Sequence, residues 1–281
     1  MIVVGSYERL LFGLSVQKDK SMKAEFIFPA HQGCIKSVAS GGKYLASGGT
    51  DEIIKLYDLE SKKELGHLSP QAGTINCLQF FSDTHLFAGC GDGKLLIIRT
   101  KDFETLKTLK GHKKAINSFA VHPSGKLGIS VGLDWRMRIW DLVNGTCSFK
   151  GKTDYEGRMI QFNENGDLYF ILGDSKVSVF DLNGTVILAE ECKKILCATF
   201  IGDSIVFSGE DKLFHVISFK NKKHETFESG HLNRIKCIGS LDSNTLISTS
   251  SDGEIKLWNW KTRTELSNYK ADCRLTCLTS Q

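Results

Sequence analysis

Residues 130–142, SVGLDWRMRIWDL, place one Asp in a short turn between two apolar segments. The same pattern returns at residues 47–59 (SGGTDEIIKLYDL), 88–100 (AGCGDGKLLIIRT) and 248–260 (STSSDGEIKLWNW), and in weaker form at two places between them. Alternating segments that are rich in apolar residues on both sides of a turn indicate antiparallel strand pairs. The turn residues that come into register are Asp51, Asp92, Asp134, Asp174, Asp211 and Asp252.

The spacing of these turn residues defines a repeat. Successive members are 41, 42, 40, 37 and 41 residues apart, and Glu8 takes the same place 43 residues before Asp51. Seven such periods account for all 281 residues. A period of about forty residues, in which the third strand ends in an aromatic-Asp pair such as Trp140-Asp141, is typical of WD-repeat β-propellers. In that architecture one period forms one four-stranded blade.

The repeat predicts an all-β, seven-bladed WD-repeat β-propeller that fills a single domain, residues 1–281. We expect the two chain ends to share blade seven. Residues 271–281 would supply its inner strand and residues 1–30 its other three strands. Pairing of the N- and C-terminal strands would then close the ring and remove open sheet edges.

Polar residues recur at fixed places in the repeat. A His at the repeat start, a strand Ser, the turn Asp and a strand Trp predict a buried hydrogen-bond chain that holds the hairpin against the start of the blade. Each such bond contributes about 1 kcal/mol net, and an unpaired buried Asp would cost more. We interpret these residues as scaffold. Besides the six turn Asp residues they are His31, His112, His231, Ser47, Ser130, Ser248, Trp140 and Trp258.

Composition and motifs argue against several classes of protein. No run approaches the roughly eighteen apolar residues of a membrane span, so we expect no membrane association. Nine Cys without a CxxC pair argue against a disulfide framework and a zinc knuckle. No HExxH or GxSxG motif occurs, and the GCGDGK segment at residues 89–94 lies in a hairpin turn with no helix behind it. The sequence therefore predicts a non-enzymatic protein without catalytic residues, metal or cofactor.

Surface recognition remains, and one turn is unusual. Trp135 and Arg136 directly follow Asp134, where other repeats carry small or charged residues. Trp and Arg are enriched in binding hot spots, although Trp135 could instead fold over its own hairpin. The loops that enter the inner strands are basic and would gather on the same rim, where an acidic protein face or RNA could bind. A net charge of only +4 is equally consistent with a solvated rim. The candidate rim residues are Lys113, Lys114, Trp135, Arg136, Arg158, Lys194, Arg234 and Arg274.

Four segments together resemble one WD-repeat family, the p21-activated-kinase-interacting-protein-like family of large-ribosomal-subunit assembly factors. They are residues 5–14 (GSYERLLFGL), 122–145 (HPSGKLGISVGLDWRMRIWDLVNG), 247–260 (ISTSSDGEIKLWNW) and 273–278 (CRLTCL). The resemblance implies a scaffold of the nucleus and nucleolus that acts in pre-rRNA maturation as a monomer within a larger complex. It implies partners among the proteins of the large-subunit pre-ribosome, with pre-rRNA and a p21-activated kinase as further candidates.

Two other functions stay open at this point. One is a signalling adaptor that binds and negatively regulates a p21-activated kinase, which the same resemblance implies. The other is a substrate receptor of a ubiquitin ligase. One group of such receptors carries Arg two residues after Trp-Asp, whereas Trp140-Asp141 is followed by Leu142 and Val143. The ubiquitin-ligase alternative is therefore the weaker of the two.

Overall fold

The computed structural model describes residues 1–280 and contains 28 strands in seven antiparallel four-stranded sheets. Each sheet is one blade, and in each the strands are ordered from the ring axis outward. The seven sheets form a ring, because the inner strand of every blade contacts the inner strands of its two neighbours. This confirms the predicted seven-bladed propeller.

The first three blades follow the chain directly. Blade one contains β4 (Ile35–Gly41), β5 (Tyr44–Gly49), β6 (Ile54–Asp58) and β7 (Lys63–Leu68). Blade two contains β8 (Ile75–Phe81), β9 (His85–Cys90), β10 (Lys94–Arg99) and β11 (Thr105–Lys110). Blade three contains β12 (Ile116–Val121), β13 (Leu127–Gly132), β14 (Arg136–Asp141) and β15 (Thr146–Lys152).

The next three blades repeat this arrangement. Blade four contains β16 (Met159–Phe162), β17 (Leu168–Leu172), β18 (Lys176–Asp181) and β19 (Val186–Glu191). Blade five contains β20 (Ile195–Ile201), β21 (Ser204–Gly209), β22 (Leu213–Ser218) and β23 (His224–Glu228). Blade six contains β24 (Ile235–Asp242), β25 (Thr245–Ser250), β26 (Glu254–Asn259) and β27 (Thr264–Lys270).

Blade seven joins the two ends of the chain. Its inner strand is β28 (Leu275–Ser280), followed outward by β1 (Ile2–Ser6), β2 (Leu10–Val16) and β3 (Met22–Pro29). Ile2 pairs with Ser280 and Val4 with Leu278, so the terminal strands are hydrogen-bonded neighbours. The strands are those predicted within residues 1–30 and 271–281, of which Gln281 lies outside the described residues.

The core of the propeller lies between blades. Strand alternation gives every blade two apolar faces, and the buried apolar residues of residues 1–280 form seven clusters, one at each interface between neighbouring blades. In blade three, for example, Trp140 packs toward blade two while Val131 packs toward blade four. Each blade thus depends on both neighbours for its burial.

Two further observations bear on the class of protein. All nine cysteines are free thiols, and four of them are buried. Over residues 1–280 no helix has the length and hydropathy of a membrane span.

Candidate functional site

The turn acids and the loops that enter the inner strands lie on one face of the ring. In blade three the turn between β13 and β14 carries Asp134, and its carboxylate accepts hydrogen bonds from His112 Nδ1 (2.8 Å) and the Lys113 backbone N–H (2.9 Å). In blade one, Asp51 accepts from His31 Nδ1 (3.0 Å) and the Gln32 N–H (2.9 Å). Loop and turn are therefore tied together, and we call the surface that they form the rim.

The buried hydrogen-bond chain is complete in blade three. His112 Nε2 lies 2.7 Å from Ser130 Oγ, to which Trp140 Nε1 also donates at 2.8 Å. The same Ser contact joins His31 to Ser47 in blade one and His231 to Ser248 in blade six, each at 2.7 Å. Trp258 Nε1 donates to Ser248 Oγ at 2.9 Å.

Blade six departs from the expected His–Asp pairing. His231 Nδ1 lies 2.7 Å from Glu254 and makes no hydrogen bond with Asp252 within the described residues. Asp252 instead accepts from the Ser250 hydroxyl and from Lys270 Nζ at 3.1 Å. The prediction that Asp252 pairs with the repeat-start His is therefore wrong. Two nearby donors hold Asp252, and the longer Glu side chain reaches His231 from the next strand.

The other turn acids also have partners outside the expected chain. Blades two, four and five carry no repeat-start His, so their turn acids pair locally. Asp92 lies 2.5 Å from Lys94 Nζ, Asp174 lies 2.7 Å from Arg158 Nη1, and Asp211 lies 2.6 Å from His215 Nε2.

Burial sets the protonation of the repeat-start histidines. Removal from water lowers the pKa of His31, His112 and His231, although the neighbouring carboxylate opposes the shift in each case. Burial alone would raise the pKa of Asp51 and Asp134. The hydrogen bonds from the backbone N–H and from the His outweigh this effect of burial and hold the pKa of both carboxyl groups below its ordinary value. These groups are neutral histidines and ionised carboxylates held in a structural chain.

The basic rim residues fall into two groups. Arg158 pairs with Asp174 at 2.7 Å, and Glu210 lies 3.0 Å from Lys194 and 3.6 Å from Arg234. The Arg274 guanidinium lies 5.7 Å from the centre of the Tyr7 ring. Their charge is thus partly neutralised or shared.

The remaining cations lie together on blade three. Across residues 1–280 the side chains of Lys113, Lys114 and Arg136 make no ion pair or hydrogen bond, and both lysines are exposed. Because the Lys113 N–H donates to Asp134, the lysine loop adjoins the turn that carries Trp135. We call Lys113, Lys114, Trp135 and Arg136 the blade-three patch.

Trp135 is held outward by its backbone. Its φ is 57°, and its side chain is 53% exposed. The positions directly after most other turn acids also have positive φ, and two of them are glycine: Arg9, Glu52, Gly93, Lys212 and Gly253. The Trp135 ring makes no aromatic or cation–π contact with any of residues 1–280. About half of a large aromatic surface is therefore presented to solvent beside three unpaired cations.

Comparison with known proteins agrees with this architecture. The family model described as "WD domain, G-beta repeat" matches residues 22–58, 60–98, 103–141 and 221–259, together more than half of the chain. A "p21-activated protein kinase-interacting protein 1-like" protein of Danio rerio is 33% identical, with 99% of this chain and 79% of the relative aligned. "Shk1 kinase-binding protein 15" of Schizosaccharomyces pombe is 30% identical over 98% of this chain and 82% of its own length. "Protein MAK11" of Saccharomyces cerevisiae is 29% identical over 99% and 82%.

This chain belongs to the p21-activated protein kinase-interacting protein 1 family. The WD-repeat β-propeller architecture is thus shown by the family match and by the seven blades of residues 1–280.

This family member also carries surface features that sequence reasoning missed. A groove of about 540 Å³ runs between blades three and four, and its lining includes Met137, Phe149, Tyr155 and Val186. Phe149 and Val186 stand in outer strands and are about half exposed, although both are apolar. The sequence does show apolar residues in outer strands that are otherwise polar. Periodicity alone does not reveal which neighbouring blades leave a groove between them. Leu232, 82% exposed in the loop that enters blade six, was missed in the same way.

Proposed function

We propose that this chain is a non-enzymatic scaffold of large-ribosomal-subunit biogenesis in the nucleolus, and that its blade-three patch binds a partner of the pre-ribosome. The observation that carries the proposal is the exposed Trp135 beside the unpaired Lys113, Lys114 and Arg136. Membership of the p21-activated protein kinase-interacting protein 1 family, together with the assembly role that the resemblance implies, supports the biological setting.

The chemistry of the patch suits a macromolecular partner. A Trp side chain has only about two rotatable χ angles and so loses little conformational entropy on binding. Aromatic and Arg side chains also dominate binding hot spots. Three cations without intramolecular partners attract an acidic protein face or RNA phosphates and increase the association rate. The partner is therefore an acidic protein of the large-subunit pre-ribosome or pre-rRNA.

A charge-reversal variant tests the patch. We expect Trp135→Glu combined with Arg136→Glu to reduce recovery of large-subunit assembly factors and pre-rRNA at least about tenfold when tagged protein is purified from nuclear extract. Mass spectrometry and RNA sequencing give the readout. Lys212→Glu is the control, since it adds negative charge at the same turn position of blade five. Unchanged recovery with a normally folded double variant would overturn the proposal.

A gentler variant separates binding from folding. Trp135→Gly removes the ring but keeps the backbone conformation, because blades two and six place Gly93 and Gly253 at this position. We expect weaker partner recovery without loss of stability. Glu52→Gly makes the same backbone change in blade one and should leave recovery unaltered.

A second candidate function rests on the names of the relatives. Proteins named for binding p21-activated kinase and Shk1 kinase occur in Danio rerio and Schizosaccharomyces pombe. The corresponding function here is an adaptor that restrains a p21-activated kinase. Purified chain should then inhibit that kinase in proportion to binding. Recovery of a kinase without ribosomal precursors from nuclear extract would favour this adaptor over the assembly scaffold.

A further inference from the structure

Blade five departs from the repeat in a way that frees its turn acid. Blades one, three and six have a His four residues before the first buried residue of the inner strand. In blade five Glu191 stands there before Ile195, and Cys192 follows it. Asp211 therefore has no repeat-start His to bind. It faces Cys192 from the loop and His215 from β22 instead.

The three side chains bring three different ligand atoms together. His215 Nε2 lies 2.6 Å from Asp211 Oδ2 and 3.8 Å from Cys192 Sγ, and all three ligand atoms lie within 4.8 Å of one another. His215 is 8% exposed and stacks on Phe207 at 4.9 Å, so its ring is fixed. Asp211 is exposed and Cys192 is half-buried, which leaves access from solvent.

Two polar groups behind His215 orient its ring. Glu190 Oε1 can only accept, and it lies 3.2 Å from His224 Nδ1. His224 Nε2 in turn lies 3.1 Å from His215 Nδ1. His215 Nδ1 and His224 Nε2 share one hydrogen bond, in which His224 accepts when its Nδ1 carries the proton that the nearby Glu190 carboxylate favours. His215 then donates through Nδ1, and its Nε2 faces the Asp211 carboxylate across 2.6 Å, where a proton in the metal-free protein, or a metal ion in its place, lies between the two acceptors.

We propose that Cys192, Asp211 and His215 bind one zinc ion, with water completing a four-coordinate site. Thiolate, imidazole and carboxylate groups all ligate zinc in proteins, and zinc accepts such mixed nitrogen, sulfur and oxygen ligands. His224, with Glu190 beside it, supplies the outer hydrogen bond that orients a ligating imidazole in metalloproteins. This inference goes beyond the proposed scaffold function and does not depend on it.

Coordination requires a small, specific rearrangement. Tetrahedral zinc with bonds of about 2.1 Å to nitrogen and oxygen places those two atoms about 3.4 Å apart, so the Asp211 carboxylate must retreat by about 0.8 Å from its present 2.6 Å. Its position in an exposed turn permits this movement. Zinc takes the place of the proton shared between His215 Nε2 and Asp211, and Cys192 releases its thiol proton, so binding is weakened by acid.

Cobalt(II) titration of tag-free protein tests the site, because thiolate ligation produces a charge-transfer band in the near ultraviolet. We expect one equivalent of Co²⁺ to give the band and one equivalent of Zn²⁺ to abolish it. Cys192→Ser should remove the band, whereas Cys147→Ser, which alters another half-buried thiol, should retain it. Absence of the band, or its persistence in Cys192→Ser, would overturn the proposal.

A second variant separates the site from simple structural damage. His224 is exposed and contacts no metal-binding atom except through His215. Loss of such an outer partner weakens metal binding by about 10- to 100-fold, and we expect this for His224→Ala in competition with a zinc chelator. His67→Ala, an exposed His in the outer strand of blade one, is the matched control and should leave the affinity unchanged. Equal affinity of the His224→Ala and wild-type proteins would contradict the arrangement.

Discussion

At the scale of single residues, one position of the repeat has different partners in different blades. The turn acid binds a buried His in blades one and three, a Lys of the outer strand in blade six and a His of its own hairpin in blade five. The choice depends on which donors the neighbouring strands bring within reach. The same residue type therefore contributes differently to stability from blade to blade.

Replacement of a buried turn acid should expose this difference. Asp134→Ala leaves His112 Nδ1 and the Lys113 N–H without their acceptor in a site where the Asp side chain is only 6% exposed. We expect a loss of about 1–3 kcal/mol in the free energy of unfolding by urea. Asp92→Ala removes a turn acid that is paired only with Lys94 and should stay within about 0.5 kcal/mol of wild type. Equal effects of the two variants would contradict the structural role of the buried chain.

The buried histidines should make the fold sensitive to mild acid. His112 has a pKa below its ordinary value of 6.5 in the folded chain, so the unfolded chain binds protons first as the pH falls. The stabilisation is complete above pH 6.5 and is lost as the pH falls from there toward the folded-state pKa. Urea unfolding at pH 7.5, 6.5 and 5.5 should show this decrease. His112→Gln should have a shallower dependence, and an identical slope in both proteins would argue against it.

At the scale of the hairpin, the turn between the second and third strands places positive φ directly after the turn acid in every blade except blade four. Gly253 has φ +91°, and a Cβ added there would overlap the Ala271 carbonyl oxygen. Trp135, Glu52 and Lys212 nevertheless adopt positive φ at the equivalent positions of blades three, one and five. The turn therefore sets the backbone conformation at this position, and contacts with the neighbouring loop determine whether a side chain fits there.

Two glycines with similar φ separate these effects. Gly184 has φ +83° and no atom within 4 Å of an added Cβ. Gly184→Ala should cost about 1 kcal/mol for the left-handed backbone alone. Gly253→Ala should cost about 1–3 kcal/mol more, because the inner loop must move to admit the methyl group. Thermal unfolding of both variants gives the comparison, and equal losses would show that steric overlap is unimportant at Gly253.

The hairpins were largely predictable from the sequence because their pattern repeats. The side-chain partner of each turn acid was not. The turn acids and the Ser–Trp contacts depend on local spacing, which the sequence displays directly. Asp252 and Glu254 belong to the same hairpin, and only the structure shows that Glu254 binds His231 whereas Asp252 binds Ser250 and Lys270. For the same reason, the basic residues of the rim could be predicted from the sequence, but their ion pairs with Asp174 and Glu210 could not.

At the scale of the whole molecule, the ring is closed by the pairing of β28 with β1 in blade seven, which we call the seam. Leu275 and Cys277 of β28 are buried between blades, and β28 hydrogen-bonds to β1. Blade six and blade one also contact β28. A single C-terminal strand therefore completes three neighbouring packing surfaces.

Removal of residues 272–281 should consequently cost at least about 4 kcal/mol, because it uncovers the apolar faces of β1 and its neighbours. A circular permutant should avoid this loss. Ile2 lies opposite Ser280, so a short hairpin loop can join the ends, and new termini can open in the exposed turn at residues 221–223. We expect the permutant to melt within a few degrees of wild type. A truncated protein of near-native stability would show that the seam is dispensable.

The position of the seam also determines when the ring can close during synthesis and folding. During synthesis β1 emerges first and β28 last, so the earliest strand waits for its partner while six blades are made. Until then β1 presents an unsatisfied edge and β24 an uncovered apolar face, which are the surfaces that draw nascent chains into wrong associations. Closure is therefore a late event of folding, and the interval before it is when a molecular chaperone has the most to protect.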